Sequence, residues 1–180
     1  VLYKNRNYQN TVKLLDKAIN LDSNLTEAYI LRADCFIKLL LYEKAINDYS
    51  TFLNLIDTTS TNVNNNKQTK LYDNADDKYN NKKAIAYCER GYCKSQLGLS
   101  EEAFSDFQES INLNPNDVWT YYRRGRYYNE LGLYKEAVID FNKAMDLKPN
   151  FVIAYDDRGI AKANLGFHPV LLMILNYVYP

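Results

Sequence analysis

The stretch Val118–Asn150, VWTYYRRGRYYNELGLYKEAVIDFNKAMDLKPN, contains a pattern that recurs along the chain. Large apolar residues follow one another at three- and four-residue steps on both sides of Gly132, as on one face of an α-helix. Gly132 suits a left-handed helix end, and Pro149 cannot continue a helix. The stretch therefore predicts a pair of helices, Trp119–Leu131 and Tyr134–Lys148. Each helix covers the apolar face of the other only in part, so the pair needs a stacked neighbour.

The pattern returns at a fixed distance along the chain. Thr11 and Ala45 are 34 residues apart, and so are Ala103 and Ala137, whereas Ala45 and Ala103 are separated by 58, which is 34 plus 24. A period of 34 residues is typical of arrays of paired helices. We therefore predict one array over residues 1–180, made of a partial repeat (1–24), a repeat (26–57), an Asn-rich insertion (58–83), two repeats (84–117 and 118–151) and a degenerate C-terminal repeat (152–180).

Positions one period apart carry the same kind of side chain. One column is tyrosine, two hold small residues and one is aromatic. The members are Tyr29, Tyr87, Tyr121 and Tyr155; Ala33, Gly91, Gly125 and Gly159; Ala45, Ala103 and Ala137; and Tyr49, Phe107 and Phe141. Small residues on one helix let the partner helix approach closely, and aromatic residues fill the gaps between neighbouring helix pairs.

These columns make the chain similar to the tetratricopeptide repeat family. The residues that carry the likeness most fully are Tyr121, Gly125, Tyr128, Ala137, Phe141, Ala144 and Pro149. The likeness covers residues 1 to about 166 outside the insertion, and it implies an all-α solenoid, a right-handed superhelix of antiparallel helix pairs. The chain departs from the pattern at Leu40, where other repeats have glycine, and at Asp57, where others have proline. We therefore expect the last helix of the second repeat to run on or to fray.

The insertion and the C-terminal end leave the pattern. The first half of the insertion is expected to be mobile, whereas residues from Leu71 onward could extend the next helix upstream. We interpret the insertion as a surface excursion rather than a binding element. The apolar run after His168–Pro169 is too short to span a bilayer and is interpreted first as a buried second helix of the last repeat. The alternatives are the stub of a longer hydrophobic element and a segment that has lost the repeat pattern.

Composition limits the classes of partner. Lys plus Arg and Asp plus Glu are 22 each, so bulk charge gives no basis for binding nucleic acid and argues against a membrane partner. Cys35, Cys88 and Cys93 lack metal-ligand spacing, and their odd number fits a reducing, cytoplasmic or other intracellular compartment. The chain opens on Val1 rather than methionine, so a fragment of a longer protein is expected.

No catalytic constellation is evident in the sequence. His168 is the only histidine, and no glycine-rich phosphate loop or metal-binding spacing occurs. His168 stands where other repeats have a tyrosine, which favours a packing role at a helix start. We therefore predict a protein that is not an enzyme, with no catalytic residue, no metal and no cofactor.

Arginine recurs one residue before the small-residue column, at positions 32, 90, 124 and 158, and aspartate recurs sixteen residues later, at 48, 106 and 140. Antiparallel helices could bring these residues together. One hypothesis is a repeated Arg–Asp contact within each repeat. The alternative is a set of ligand-binding arginines.

The family resemblance implies that the first helices of successive repeats line a concave groove that holds an extended peptide. In the later repeats this places an aromatic and cationic patch beside an acidic one: Tyr92, Trp119, Tyr122, Arg123 and Arg126, with Asp156 and Asp157. Trp and Arg are frequent binding anchors. The alternative for Trp119 and Tyr122 is that they pack between adjacent repeats.

One subgroup of the family binds acidic chaperone tails through a clamp of Lys and Asn on one repeat, Asn on the next, and Lys and Arg on the third. At those positions this chain has Ile30 and Asp34, Glu89, and Trp119 and Arg123. Only Arg123 matches, so this clamp is not expected.

We accordingly predict an interaction scaffold that binds a peptide segment of a partner protein in the concave groove. The first alternative is a targeting module of a larger enzyme or co-chaperone that lacks the dicarboxylate clamp. A further alternative makes the apolar end a membrane-proximal segment.

Overall fold

A computed structural model describes the backbone of residues 2–64 and 73–178 and the side chains of residues 7–58 and 79–166. Within these ranges the chain forms eight helices and no strand: α1 (Leu2–Leu21), α2 (Thr26–Lys38), α3 (Tyr42–Asn64), α4 (Asp73–Gln96), α5 (Ser100–Leu113), α6 (Val118–Glu130), α7 (Tyr134–Leu147) and α8 (Val152–Val178). The all-α prediction is confirmed. The helices belong to two compact units, Val1–Asn114 with α1–α5 and Pro115–Pro180 with α6–α8.

In the first unit each helix packs on the next along the chain, from α1 to α5. The aromatic column contributes Tyr49 and Phe107 to its core, and both are fully buried, as is Phe52. The small-residue column serves close approach: a Cβ on Gly91 would lie 3.1 Å from Phe107 Cδ1. Within a helix pair, a large residue therefore packs on a small one, whereas the sequence predicted the aromatic residues between neighbouring pairs.

In the second unit α6 and α7 form one antiparallel pair, and α8 packs against α7 with a smaller contact to α6. Phe141 of α7 is fully buried, and a Cβ on Gly125 of α6 would lie 3.0 Å from its Cε1 atom. The second unit thus repeats the packing of the first.

The turns between paired helices use a left-handed residue. Gly98 and Gly132 have φ of 72° and 75°, and Leu40 takes the same conformation with φ of 60°. The turn at Leu40 therefore forms without its glycine, at the steric cost that a Cβ imposes in this region. The N-terminus of α6 is capped by Asp117, whose carboxylate accepts a 3.0 Å hydrogen bond from the backbone N–H of Thr120.

The predicted insertion is largely helical at its two ends. Helix α3 runs on to Asn64, as expected from the absence of a proline at Asp57, and α4 begins as far upstream as Asp73. Residues 58–64 are therefore part of a helix, and the mobility expected for the first half of the insertion stays a prediction. A polar stretch can extend a helix that tertiary packing has already nucleated. The rest of the segment expected to be mobile, residues 65–70, lies outside the described residues.

The expected second helix of the last repeat is wrong. Helix α8 continues without a break from Val152 to Val178, through Gly166 and His168. Gly166 does not take the left-handed conformation of Gly98 and Gly132, so the chain does not reverse direction there. His168 accordingly lies inside a helix and not at a helix start, and its side chain lies outside the described residues. The division of the whole chain into one array stays a prediction.

The described helices include none with both the length and the apolar character that crossing a bilayer requires.

Candidate functional site

Three aromatic rings of the second unit form a cluster between α6 and the start of α8. The ring centroids of Trp119 and Tyr122 are 5.8 Å apart, those of Trp119 and Phe151 are 5.0 Å apart, and those of Tyr122 and Phe151 are 5.2 Å apart. All three pairs meet edge to face, the arrangement that aromatic quadrupoles favour. Tyr122 and Phe151 are buried, whereas Trp119 is 48% exposed. Trp119 is therefore a half-exposed ring that packs on two buried aromatic rings.

The local sequence explains this placement. Trp119 and Tyr122 are three residues apart on α6 and so share one helix face. Phe151 directly precedes α8, and its position corresponds to Asp117 one period earlier, where the side chain caps a helix. Sequence reasoning missed Phe151. The sequence signal for Phe151 was a large aromatic residue at a position where a helix-capping residue is expected.

A polar network adjoins the cluster. The Tyr122 hydroxyl donates a 2.8 Å hydrogen bond to Asp157 Oδ2, and Arg126 Nε lies 3.9 Å from the same oxygen. Arg126 Nη2 is also 3.5 Å from Glu130 Oε1, one turn along α6. Burial, and next the hydrogen bond to the Asp157 carboxylate, raise the pKa of Tyr122 to about 12. Tyr122 therefore stays a hydrogen-bond donor at neutral pH.

The structure brings most of the predicted site residues of the second unit together. Trp119, Tyr122, Arg126 and Asp157 are joined by the contacts above, so the aromatic and acidic patches form one network and not two neighbouring ones. Asp156 is exposed, and its carboxylate makes no hydrogen bond or ion pair to any described residue.

The other predicted residues contribute differently. Arg123 is half-buried on α6. Tyr92 lies in the first unit, where its ring packs edge to face on Tyr42 at 6.2 Å. The packing alternative holds for the buried ring of Tyr122, whereas Trp119 keeps half of its surface in solvent.

Two exposed isoleucines of α8 lie near these polar residues in sequence. Ile153 and Ile160 are exposed, and they are spaced three and four residues from Asp156, so they lie on the same helix face. We call the set Trp119, Arg126, Ile153, Asp156 and Ile160 the α6–α8 surface. It combines apolar area with one cation and one carboxylate on two packed helices, an arrangement suited to binding a side chain of a partner rather than to proton or group transfer.

The recurring arginines have a structural role. Arg32, Arg90 and Arg124 each donate from Nε and Nη2 to both carboxylate oxygens of the aspartate sixteen residues later, at 2.7–2.9 Å. The aspartates are buried, so the hypothesis of an Arg–Asp contact within each repeat is confirmed for these three pairs.

Several of these arginines make a second contact that the sequence analysis did not anticipate. The Nη1 atoms of Arg32, Arg90 and Arg158 donate to Asp16, Ser50 and Asn142 on the preceding second helix, at 2.7, 2.9 and 2.8 Å. The signal was present in the sequence, since Asp16, Ser50 and Asn142 occupy one polar column of the repeat. Each such arginine therefore joins neighbouring helix pairs.

Comparison with known families finds two matches along the chain. Models of the tetratricopeptide repeat match residues 84–117 and 107–139. Among curated proteins, dynein axonemal assembly factor 4 of Pongo pygmaeus and that of Pan troglodytes are each 28% identical over 116 residues, which are 64% of this chain and 24% of the relative. The chain thus spans about a quarter of the length of these relatives.

Solved structures share the fold. MamA matches with a TM-score of 0.67 at 23% identity, covering 88% of this chain and 79% of that one. The first TPR of Spaghetti (RPAP3), bound to the HSP90 peptide SRMEEVD, matches with a TM-score of 0.60 at 19% identity, covering 81% and 96%. The Arabidopsis OM64 TPR domain matches with a TM-score of 0.59 at 22% identity, covering 77% and 94%. The predicted helical-solenoid fold class is confirmed.

Proposed function

We propose, from the premise that this chain belongs to the tetratricopeptide repeat family, that it binds a peptide segment of a partner protein on the α6–α8 surface. The coarser role, protein interaction, follows from the repeats themselves, which generally form non-catalytic scaffolds. The single observation that carries the finer proposal is Trp119, a large ring that stays half-exposed while two buried rings fix its orientation.

Exposure of such a ring has a physical consequence. A tryptophan that is already ordered loses little conformational entropy when a partner covers it, so most of the free energy of its burial remains available for binding. Tryptophan and arginine are enriched among residues that dominate interface energies. Trp119 is therefore the main anchor for an apolar side chain of the partner, with Arg126 on the same helix.

The charges of the site support a peptide of mixed character. Arg126 lies near Glu130 and Asp157, so its charge is partly balanced, whereas Asp156 faces solvent without an ionic partner among the described residues. A strongly acidic tail would meet these carboxylates. The peptide in the Spaghetti (RPAP3) complex is acidic, and the clamp positions of this chain hold Asp34 and Glu89 instead of cations and amides. We therefore propose an apolar segment with a basic residue beside it, and Tyr92 stays a predicted contact of the first unit.

A second proposal follows from the length of the relatives. The matched segment is 24% of dynein axonemal assembly factor 4, which favours an array that brings other domains of a longer protein to the bound partner. The three cysteines are buried on helices α2 and α4, which supports action in a reducing, intracellular compartment.

The test uses peptides selected from a display library on the wild-type chain. Affinities are then measured for wild type, Trp119→Ala, Arg126→Glu and the control Ile139→Ala, which removes an exposed apolar side chain from α7. We expect Trp119→Ala to weaken binding at least ~10-fold, as loss of an anchor does, and Ile139→Ala to leave it unchanged. Selected peptides that bind Trp119→Ala as tightly as wild type, with helicity preserved by circular dichroism, would show that the site lies elsewhere.

A further inference from the structure

Helices α2 and α6 are each covered on one side by a paired second helix, whereas no described helix covers the corresponding side of α8. In those helices the tyrosine column is buried, and Tyr29 and Tyr121 are each 8% exposed, whereas Tyr155 of α8 is 43% exposed. The other side of α8 is closed, because Ala154 and Ala161 are fully buried. Helix α8 thus has the place of a first helix that is packed against α7 and open where its own second helix would lie.

The glycine of the small-residue column shows the same opening. A Cβ on Gly91 or Gly125 would meet the aromatic ring and the aspartate of the paired helix within 3.0–3.2 Å. A Cβ on Gly159 would meet nothing within 4 Å. No described residue therefore fills, on α8, the slot that receives Phe107 in α4–α5 and Phe141 in α6–α7.

The arginine completes the pattern. Arg158 donates from Nη1 to Asn142 on α7, as its counterparts do toward the preceding helix. Its Nε and Nη2 atoms make no bond to a carboxylate within the described part of the chain, whereas in Arg32, Arg90 and Arg124 these two atoms hold the aspartate. Nε and Nη2 are the two arginine donors that hold an acidic side chain in three other repeats, and no described carboxylate accepts from them in Arg158.

The chain does not supply that acid in sequence order. Residue 174, sixteen residues after Arg158, is isoleucine, and α8 remains a single helix through Val178, so this segment does not fold back as an antiparallel partner. The second helices α3, α5 and α7 already bury their Asp–aromatic faces against α2, α4 and α6. Helix α1 carries Leu14 and Leu15 at the positions of the aspartate and the aromatic residue. A second copy of the chain is therefore a poor match.

We propose that the open side of α8 binds an amphipathic helix of a partner protein, antiparallel to α8, whose docking face reads Ala-x-x-Asp-Phe or Ala-x-x-Asp-Tyr. The aspartate accepts hydrogen bonds from Nε and Nη2 of Arg158, the aromatic ring fills the slot at Gly159 and the alanine permits close approach. This face is that of the paired helices within the chain: Ala45–Asp48–Tyr49, Ala103–Asp106–Phe107 and Ala137–Asp140–Phe141. The partner helix would complete a repeat in trans, by helix packing and not by extended-peptide binding.

The probe is a helix-stabilised peptide with the sequence of α7, YKEAVIDFNKAMDL, cross-linked on its far face because a short helix is marginal in water. Its binding to the intact chain is measured by fluorescence anisotropy. We expect saturable binding that Arg158→Glu weakens at least ~10-fold, the effect of losing a charge-assisted two-point contact. A peptide with arginine in place of its aspartate should recover binding to the Arg158→Glu chain.

Two glycines of α8 provide a matched control. Gly159→Leu fills the slot and should abolish binding, whereas Gly166→Leu, which also meets open space in the free chain, should not. Both variants should keep wild-type helicity. Equal peptide affinity for wild type and Gly159→Leu would overturn the proposal, because the probe would then bind elsewhere, for example by exchange into the α6–α7 pair. Absence of binding to wild type at millimolar peptide would overturn it as well. A wild-type chain that dimerises without peptide, and a monomeric Gly159→Leu chain, would assign the face to a second copy instead.

This surface and the α6–α8 surface are tested independently. Trp119→Ala should leave binding of the helical probe unchanged, and Gly159→Leu should leave binding of library-selected extended peptides unchanged. Failure of one proposal therefore does not imply failure of the other.

Discussion

Arg124 holds the buried Asp140 at two points: its Nε lies 2.8 Å from Oδ2 and its Nη2 lies 2.9 Å from Oδ1. Burial raises the pKa of Asp140, and the guanidinium opposes that shift. The carboxylate accordingly depends on Arg124 to remain charged inside the α6–α7 pair. The same geometry recurs in Arg32–Asp48 and Arg90–Asp106, so one ion pair per repeat fixes the register of the paired helices.

Removing one partner of this pair should cost more stability than removing both. Arg124→Leu leaves a buried carboxylate without compensation and is expected to lower the free energy of unfolding by about 3 kcal/mol. The double variant Arg124→Leu/Asp140→Leu places apolar groups on both sides and should cost less than Arg124→Leu alone. Urea unfolding of the two single variants and the double variant gives the coupling energy. Strictly additive losses would show that the pair is not a stabilising unit.

Two glycines of the same column should respond oppositely to alanine. At Gly125 the new Cβ would lie 3.0 Å from Phe141 Cε1 and 3.1 Å from Asp140 Cβ, so Gly125→Ala should destabilise the second unit by about 1–3 kcal/mol, as overpacking does. At Gly159 the Cβ meets open space, and alanine should stabilise the helix interior by about 0.5–1 kcal/mol. Thermal unfolding of the two variants measures the contrast. Equal effects would contradict the difference in packing.

Leu40 occupies a left-handed turn position that glycine holds in the later repeats. Its φ is 60° and the residue is 70% exposed, so little apolar burial is lost on truncation. Leu40→Gly should stabilise the first unit by about 1 kcal/mol, because relief of the left-handed strain exceeds the added entropy of the unfolded chain. The neighbouring variant Leu41→Gly, at a residue without positive φ, should destabilise it. Denaturant unfolding distinguishes the two, and a destabilising Leu40→Gly would show that the turn is not strained.

Sequence reasoning anticipated the features that depend on local pattern. The 34-residue period predicted the helix pairs, and the columns predicted which small and aromatic residues are buried. The close approach of Gly125 to Phe141 within one pair came from the structure. The Arg–Asp contact was one of two hypotheses for the recurring arginines, and only the structure distinguished it from ligand binding. The Arg–Asp contacts follow from helix spacing once the pairing of helices is known, so the same contact forms in each of the three repeats.

The features that were missed depend on the contacts of single residues. Phe151 joins the aromatic cluster because it directly precedes α8, a position that the columns do not describe. The continuous helix through Gly166 was missed because a glycine ends a helix only where the backbone takes the left-handed conformation, and the sequence does not show which glycines do. The open side of α8 follows from that continuity, so it too was beyond sequence patterns.

Glu27 and Lys82 link α2 to α4 at the surface of the first unit. Lys82 Nζ lies 2.6 Å from Glu27 Oε1, and this hydrogen bond, with that from Thr26, lowers the pKa of Glu27 from 4.5 to about 2. Because the folded pKa is lower than the unfolded one, the stabilisation is present above pH 4.5 and is lost as the pH falls toward 2. The Glu27 side chain is 59% exposed, so solvent screening limits the contribution to less than about 1 kcal/mol.

The measurement for this pair is a carboxyl chemical-shift titration of Glu27 by NMR, together with unfolding of Glu27→Gln at neutral and acidic pH. The wild-type carboxyl should titrate well below its ordinary range, and Lys82→Met should return the midpoint toward 4.5. The stability difference between wild type and Glu27→Gln should disappear at low pH. A midpoint that Lys82→Met does not move would mean that the pair does not form in solution.

Tyr122 and Asp157 offer a direct reading of the polar network beside Trp119. Burial raises the pKa of Tyr122 first, and the hydrogen bond from its hydroxyl to the Asp157 carboxylate adds to that, to a value of about 12. Asp157→Asn removes the negative charge and keeps a hydrogen-bond acceptor, so the pKa of Tyr122 should fall while remaining above that of an exposed tyrosine. Tyrosine ring ¹³C shifts followed by NMR up to pH 11 measure the change, with Asp156→Asn as the matched control. Because Asp156 makes no contact with the hydroxyl among the described residues, that variant should leave Tyr122 protonated as in wild type. Equal shifts in the two variants would show that general surface charge, and not the Tyr122–Asp157 bond, sets the protonation of the ring that supports Trp119.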